Sequence, residues 1–246
     1  MTESLLILVP ARGGSKRLPG KNLRLLAGRS LIARTADAVA DAGIDAPVVL
    51  STDDNAIAAE GRRAGMRVPF LRPADLASDI ATSVDVTLHA LDWFAAEMGA
   101  DPDLLMLLQP TSPLRGSKCL TVALEMLAHR PDAGCVVAMS AIHLPPSALF
   151  LADGTGQATA LSDDDRRPVY MPNGALYLTR TAQLRALHTL YAPPILPLVM
   201  DQRRAVDIDT PADWAIAEAL LAAGLPEQKD AIQSDTATPP GSCATA

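Results

Sequence analysis

Apolar positions along this chain come in short blocks whose period changes. Residues 5–9 (LLILV) form an unbroken apolar run, the apolar positions of 31–42 recur at helical spacing, 47–51 (PVVLS) is again continuous, and helical spacing returns over 55–64. Continuous runs of strand length predict strands buried on both faces, while recurrence every three or four residues predicts helices packed against them. The alternation continues with a short strand at 67–70, a helix over 84–98 carrying Leu88, Leu91 and Trp93, a central strand at 104–108 (LLMLL), a helix over 118–128 and a strand at 134–139. Such punctuation predicts an α/β fold, a mostly parallel sheet with helices on both faces.

From 140 to about 167 the pattern fails. That stretch is rich in Pro, Asp, Gly and Ala and hints at short strands without a helix, so it is expected to leave the sheet as a small hairpin-bearing excursion over 140–170. Leu149, Phe150 and Leu151 would be uncovered there, which suits a contact with a partner. Strands at 175–179 and 195–200 and a last helix over 211–223, opened by Asp209-Thr210-Pro211 as cap and first turn, restore the pattern. One domain over 1–225 is expected, and the Ala, Thr, Pro, Ser, Gln and Asp of 226–246 read as a disordered tail.

Composition narrows the function. The 246 residues can bury a sizeable core, and with 49% hydrophobic but only 3% aromatic residues, Leu, Val, Ile and Ala must fill it. A formal net charge of −7 speaks against nucleic acid as a partner, which needs a basic footprint. Cys119, Cys135 and Cys243 are too widely spaced for a zinc pair or a disulfide framework, and Cys119 and Cys135 read as buried reduced thiols. No charged-then-apolar leader precedes the first strand and no apolar run reaches about 18 residues, so a cytoplasmic protein with no membrane span is expected.

Against this acidic background the loop after the first strand is an exception. PARGGSKRLPGKN (10–22) sets Arg12, Lys16, Arg17 and Lys21 among Gly13, Gly14 and Gly20. Glycines let backbone N–H groups approach an anion, and the cations neutralise charge that backbone dipoles cannot, so the loop reads as a cradle for a polyanion such as a nucleoside triphosphate. It is not an ATPase P-loop: Ser15 stands where the first glycine is needed and Asn22 where Ser or Thr would hold the metal. Nor do its glycines match the G-x-G-x-x-G of dinucleotide-binding folds.

Other segments carry chemistry too. Gln109 follows the central strand in LLQPTSPLR (107–115), at the carboxyl end where open α/β sheets bind ligands. Asp207 and Asp209 in VDIDTP (206–211) share one face of an extended segment, which suits Mg2+, a cation that takes one or two carboxylates plus phosphate oxygens and waters; Asp209 equally suits a helix cap. Arg72 in LRPADLASD (71–79) is either a surface cation or a ligand contact, and Ser83 either a contact or a cap. His89, His129, His143 and His188 form no triad pattern, so no general base is legible; a magnesium-bound water or hydroxide would serve.

PARGGSKRLPGKN, LRPADLASD, LLQPTSPLR, PNGALY (172–177) and VDIDTP together resemble the signatures of the CMP-sialic acid synthetases, the acylneuraminate cytidylyltransferases, with their bacterial relatives acting on legionaminic and pseudaminic acid. The resemblance covers roughly residues 5–223. It implies a Rossmann-like nucleotidyltransferase sheet, a homodimer formed through the excursion, and Mg2+-assisted transfer of CMP from CTP to a nine-carbon α-keto sugar acid with release of pyrophosphate. Within it, Arg12 and Lys21 hold the triphosphate and act in catalysis, and Ala11, Gly13, Ser15, Lys16 and Asn22 complete the nucleotide loop. Arg72, Ala81 and Ser83 match positions that hold cytosine and ribose, Gln109, Asn173 and Tyr177 positions that touch the sugar, and Asp207 and Asp209 positions at the metal.

Two departures from the family pattern concern the sugar. Many sialic acid enzymes carry arginine at the position of Met171 and a lysine near Pro146-Ser147, where this chain has none. The acceptor carboxylate still needs a cation, because burying it unpaired is costly, and Arg166 or Arg167 is the candidate. A CMP-Kdo synthetase for an eight-carbon acid is one alternative, although such enzymes typically lack the Gly-Gly pair and the following asparagine. A non-catalytic binding protein on the same fold is another, against which stand Arg12, Lys21, Asp207 and Asp209.

Overall fold

A computed structural model of the chain describes residues 3–161 and 167–225. Strand β1 (Leu5–Pro10) leads through the glycine-rich loop to a small hairpin, β2 (Leu25–Leu26) and β3 (Arg29–Ser30), and to helix α1 (Leu31–Asp41), whose Ser30 cap accepts from the Ala33 amide. Next come β4 (Val48–Ser51), α2 (Asn55–Arg63) under its Asp54 cap, α3 (Ser83–Met98) behind a Thr82/Asp85 capping box, and β5 (Leu104–Leu107). The chain continues with α4 (Ser117–His129), β6 (Cys135–Ile142), β7 (Phe150–Ala152), β8 (Ala158–Ala160), β9 (Val169–Arg180), α5 (Thr181–Leu187), β10 (Ile195–Val199) and α6 (Pro211–Ala222).

The main sheet runs β10-β6-β9-β5-β1-β4, with β9 antiparallel to both neighbours and every other pairing parallel. Because successive side chains alternate between faces, Ile7, Val9, Met106 and Leu108 enter one buried cluster with α1, α2 and α4. Leu6, Leu8, Leu105 and Leu107 enter another with α3 and α5. Burial on both faces is why these strands are continuous apolar runs. A third cluster, including Leu18, Leu26, Leu114, Ile208 and Trp214, ties the far end of the glycine-rich loop to α6.

Three features depart from the sequence reading. The strand expected at 67–70 is a single bridge between Val49 and Arg67: Arg67 exchanges backbone bonds with Val48 and Leu50, and Pro69 has no N–H with which to extend the ladder. Helix α5 is too short to declare a period, with only Thr181 and Leu184 buried. Strand β9 is longer than its buried part, because its more exposed first residues, Val169 to Pro172, pair with β6 outside the core.

Those first residues build the excursion. Met139 pairs with Pro172 while still flanked by Val199 of β10; beyond it Ser140 to Ile142 of β6 pair with Val169 to Met171 of β9 as a two-stranded arm, and the β7–β8 hairpin lies in the connection between them. Phe150 and Leu151 are each 64% exposed on that hairpin, and Leu144, Leu161 and Met171 are also exposed. Residues 226–246, read above as a tail, lie outside the described residues. Among those described, no helix is long and apolar enough to cross a membrane.

Candidate active site

The loop after β1, the segment from Arg72 to the start of α3, the turn after β5 and the 207–209 segment enclose a cleft of about 690 Å3. It opens beyond the carboxyl ends of the parallel strands, where this architecture binds ligands.

The loop is pinned before it meets any ligand. Ala11 continues the sheet ladder to the Ser51 carbonyl, the Gly13 amide donates to Asp53 at 2.9 Å, and the buried Asn22 donates through Nδ2 to the Arg12 carbonyl at 3.1 Å. A Cβ on Gly13 would stand 2.8 Å from the Asp54 carboxylate, which is itself fixed as the α2 cap, so no larger residue fits. Arg12 donates to Asp79 at 2.9 Å, with a longer bond to the Ser78 carbonyl at 3.4 Å, and Lys16 reaches the other Asp79 oxygen. Lys21 donates to Asp209 at 2.8 Å and to the Ile208 carbonyl at 3.0 Å, while Arg17 reaches Asp209 at 2.6 Å. All four cations line the cleft, with Ala11, Ser15 and Asn22. Gly13 supports the loop from behind.

Arg72 is no surface cation. Its guanidinium is buried against the end of β4, donating to the Ser51 hydroxyl at 3.1 Å and to the Ser51 carbonyl at 2.5 Å. Desolvation by burial lowers its pKa to about 10, opposed by the nearby Asp53 charge. Ala81 and Ser83 line the same cleft. Thr82, not Ser83, is the α3 cap, which leaves the Ser83 side chain outside that role.

Gln109 also lines the cleft, and a break in strand register brings β9 up to it. Val137 pairs with Tyr177 but Met139 pairs with Pro172, so Ala138 alone faces Asn173, Gly174, Ala175 and Leu176. The NGAL segment, 173–176, is therefore a β-bulge, a device that turns backbone toward a site. Gly174 holds φ at 79° there, and a Cβ on it would lie 2.5 Å from the Gln109 amide oxygen. Asn173 is buried, donating to the Ser140 hydroxyl at 3.3 Å and accepting from the Ala175 amide at 3.1 Å, so its side chain shapes the bulge. Tyr177 faces a neighbouring cavity of about 220 Å3, edge-on to Tyr191 at 5.8 Å between ring centres; that cavity shares Ser83 with the cleft. Burial first, and its bond to Tyr191 second, raise the Tyr177 pKa. Arg167 is exposed at the approach to β9, away from the cleft lining, and Arg166 lies outside the described residues.

Asp207 opens onto the cleft, so water reaches it, yet the enclosing walls desolvate it and raise its pKa; the Thr111 hydrogen bond opposes that shift and the Asp209 charge adds to it. The α6 cap is Thr210 in a capping box with Asp213, so Asp209 does not cap the helix and is held by Lys21 and Arg17 instead. Among the described residues no cluster of three or more His, Cys, Asp or Glu side chains is poised for a metal. Two carboxylates beside a polyanion cradle nonetheless match a hard cation that draws its remaining oxygens from phosphate and water.

The sequence reading missed Asp79, Thr111 and Arg115. Thr111 accepts through its backbone carbonyl from the Ile208 amide at 2.7 Å, fastening the turn after β5 to the aspartate segment. Arg115 is buried and donates to the carbonyls of Gln109 at 3.2 Å and Ala175 at 2.5 Å and to the Thr35 hydroxyl at 3.3 Å. Its presence in LLQPTSPLR was legible; its inward orientation was not.

Comparison with known proteins agrees with this geometry. A CMP-N,N'-diacetyllegionaminic acid synthase of Legionella pneumophila is 37% identical over 225 residues, 88% of this chain and 96% of its own. An N-acylneuraminate cytidylyltransferase of Escherichia coli is 28% identical over 223 residues, 88% of this chain and 52% of its own, so this chain spans about half of that relative. The solved structure of a CMP:2-keto-3-deoxy-manno-octonic acid synthetase complexed with CTP shares the fold, with a TM-score of 0.64 at 19% identity over 90% of this chain and 100% of its own. The family model described as Cytidylyltransferase matches residues 6–182, which takes in the loop, Arg72, Gln109 and the bulge, and the chain belongs to that family.

Proposed function

We propose that this enzyme transfers CMP from CTP to the anomeric hydroxyl of a nine-carbon α-keto sugar acid of the legionaminic, sialic or pseudaminic type, releasing pyrophosphate. The observation that carries the reading is that Arg12, Lys16, Arg17 and Lys21 share one cleft with Asp207, Asp209 and Gln109. The legionaminic acid synthase, similar over nearly its whole length, supports the acceptor class.

Attack of the sugar hydroxyl on the α-phosphorus builds negative charge on the phosphoryl oxygens and on departing pyrophosphate, so catalysis is mainly positioning and charge stabilisation. Arg12, Lys16 and Lys21 meet that charge from a loop already pinned by Asn22 and Asp53. Arg72, Ala81 and Ser83 hold the cytidine end, and Gln109 with the backbone of the Asn173–Gly174 bulge orients the sugar. Tyr177 borders the neighbouring cavity. Asp207 and Asp209 would hold Mg2+, which when bound supplies charge neutralisation at the phosphates and acidifies a bound water or hydroxyl. Arg166 or Arg167 is assigned to the acceptor carboxylate. The exposed apolar residues of the excursion support a homodimer, and a CTP donor supports a cytoplasmic location.

The test is pyrophosphate release from CTP and Mg2+ with sialic, legionaminic, pseudaminic and Kdo acids offered in turn. Turnover with a nine-carbon acid is expected. Turnover with Kdo alone would move the assignment to the eight-carbon alternative, and CTP binding with no turnover on any acid would make this a binding protein.

A further inference from the structure

Among the described residues that line the cleft, Asp79 is the carboxylate that lies outside the 207–209 segment, and it meets the cations of the loop. Its two oxygens are divided between two cations: Oδ1 takes Arg12 at 2.9 Å and Oδ2 takes Lys16 at 2.5 Å. Two non-bridging oxygens of one phosphate would present the same pair of acceptors to the same pair of donors. We infer that Asp79 is a stand-in for the triphosphate, occupying Arg12 and Lys16 in the free enzyme and yielding them when the nucleotide arrives. The inference rests on the nucleotide reading of this cleft and deepens it.

The segment that carries Asp79 is suited to such an exchange. On one side Arg72 is buried and bonded to Ser51, and on the other Thr82 is locked into the α3 capping box. Between them the turn Ala74–Ala77 buries no residue and Ile80 is 90% exposed. Little besides the Asp79 carboxylate and the Ser78 carbonyl therefore fastens this stretch to the loop.

Charge decides which anion wins. A triphosphate carries several negative charges, so it outcompetes a single carboxylate for the cations and repels that carboxylate as it binds. Exposed ion pairs of this kind are individually weak and screened by salt, so release of Asp79 is cheap. In the free enzyme the carboxylate offsets repulsion between Arg12 and Lys16, and as pyrophosphate departs it can recapture both. Asp79 thus keeps the cradle assembled while moderating its grip on substrate and product.

Calorimetry on wild type and Asp79→Asn, with CTP, inorganic pyrophosphate and cytidine as three separate probes in the presence of Mg2+, tests this. Asp79→Asn is expected to tighten CTP and pyrophosphate by roughly three- to tenfold, the scale of two weak exposed pairs, while leaving cytidine unchanged. Asp79→Ser, which also removes the charge but differs in shape, should behave alike. Unchanged or weaker phosphate binding in both variants, or a shift in cytidine equal to that in CTP, overturns the assignment. Failure of the wild type itself to bind CTP would overturn the nucleotide reading beneath it, a result distinguishable from both.

Discussion

Lys21 and Asp209 stand 188 positions apart in the chain and meet at 2.8 Å in the cleft, joining the glycine-rich loop to the segment that opens α6. The Lys21 side chain is 14% exposed, so its ammonium has few routes to solvent and is aimed at the site. Lys21→Ala is expected to lower kcat/KM by tenfold or more, since removing one preorganised charge donor costs about 2–4 kcal/mol in the transition state. Steady-state kinetics at saturating CTP checks this, and activity equal to wild type would refute the assignment.

Gly174 should resist substitution for two independent reasons, its positive φ and the Gln109 amide 2.5 Å from any added Cβ. Gly174→Ala is expected to destabilise the fold by roughly 1–2 kcal/mol, the order of a left-handed backbone penalty, and to raise KM for the sugar acid more than KM for CTP. Denaturant melts and two-substrate kinetics separate these effects.

Arg115 is a buried cation bonded to neutral acceptors, and its burial pushes its pKa down to about 10. Arginine does not surrender its proton in proteins, so that shift is read as a cost of burial. Arg115→Met would relieve the cost yet remove the donor to the Ala175 carbonyl, a loss of about 1–3 kcal/mol, while the Gln109 carbonyl would keep only the Ser112 amide. A raised KM for the sugar acid, with KM for CTP little changed, is expected; unchanged values for both would make Arg115 purely structural.

The turn after β10 gives a pH test. Asp201 accepts from the Arg203 amide at 2.9 Å and from its guanidinium at 2.7 Å, and these bonds hold its pKa down to about 2. A carboxyl whose folded pKa lies below its unfolded value, about 3.9, stabilises the fold above that value and ceases to do so as pH falls toward 2. Asp201→Asn should therefore melt lower than wild type at pH 7, and the gap should shrink between about pH 4 and pH 2. Melting curves across that range check it; a gap independent of pH would mean the charge contributes nothing.

The β7–β8 hairpin leaves Phe150 and Leu151 exposed. If they meet a second copy, Phe150→Asp with Leu151→Asp should shift the protein from dimer to monomer by light scattering. An unchanged mass would remove this surface from the dimer.

The main strands and helices α1 to α4 were legible because each buried enough apolar surface to impose its period on the sequence, and α6, with only Trp214 and Ala217 buried, because its Asp209-Thr210-Pro211 opening marked it. The bridge at Arg67 was not, since an extended stretch ended by Pro69 resembles a short strand until its hydrogen bonds are placed. The site divided along similar lines. Glycines and cations in the loop announced a polyanion locally, whereas Asp79 matters only through a contact spanning more than 60 residues, and no local pattern encodes that. Asp209 looked equally suited to capping a helix, and only the Thr210/Asp213 box freed it from that role.

The bulge at 173–176 separates two tasks along one continuous strand. Below it β9 lies in the sheet core; above it the same strand and β6 carry the excursion. Because the slip in register is absorbed at the bulge, the hairpin beyond can change length or sequence without disturbing the backbone that faces Gln109. If Arg166 or Arg167 meets the acceptor, changes in this lobe would alter the choice of acceptor without shifting the backbone of the nucleotide half.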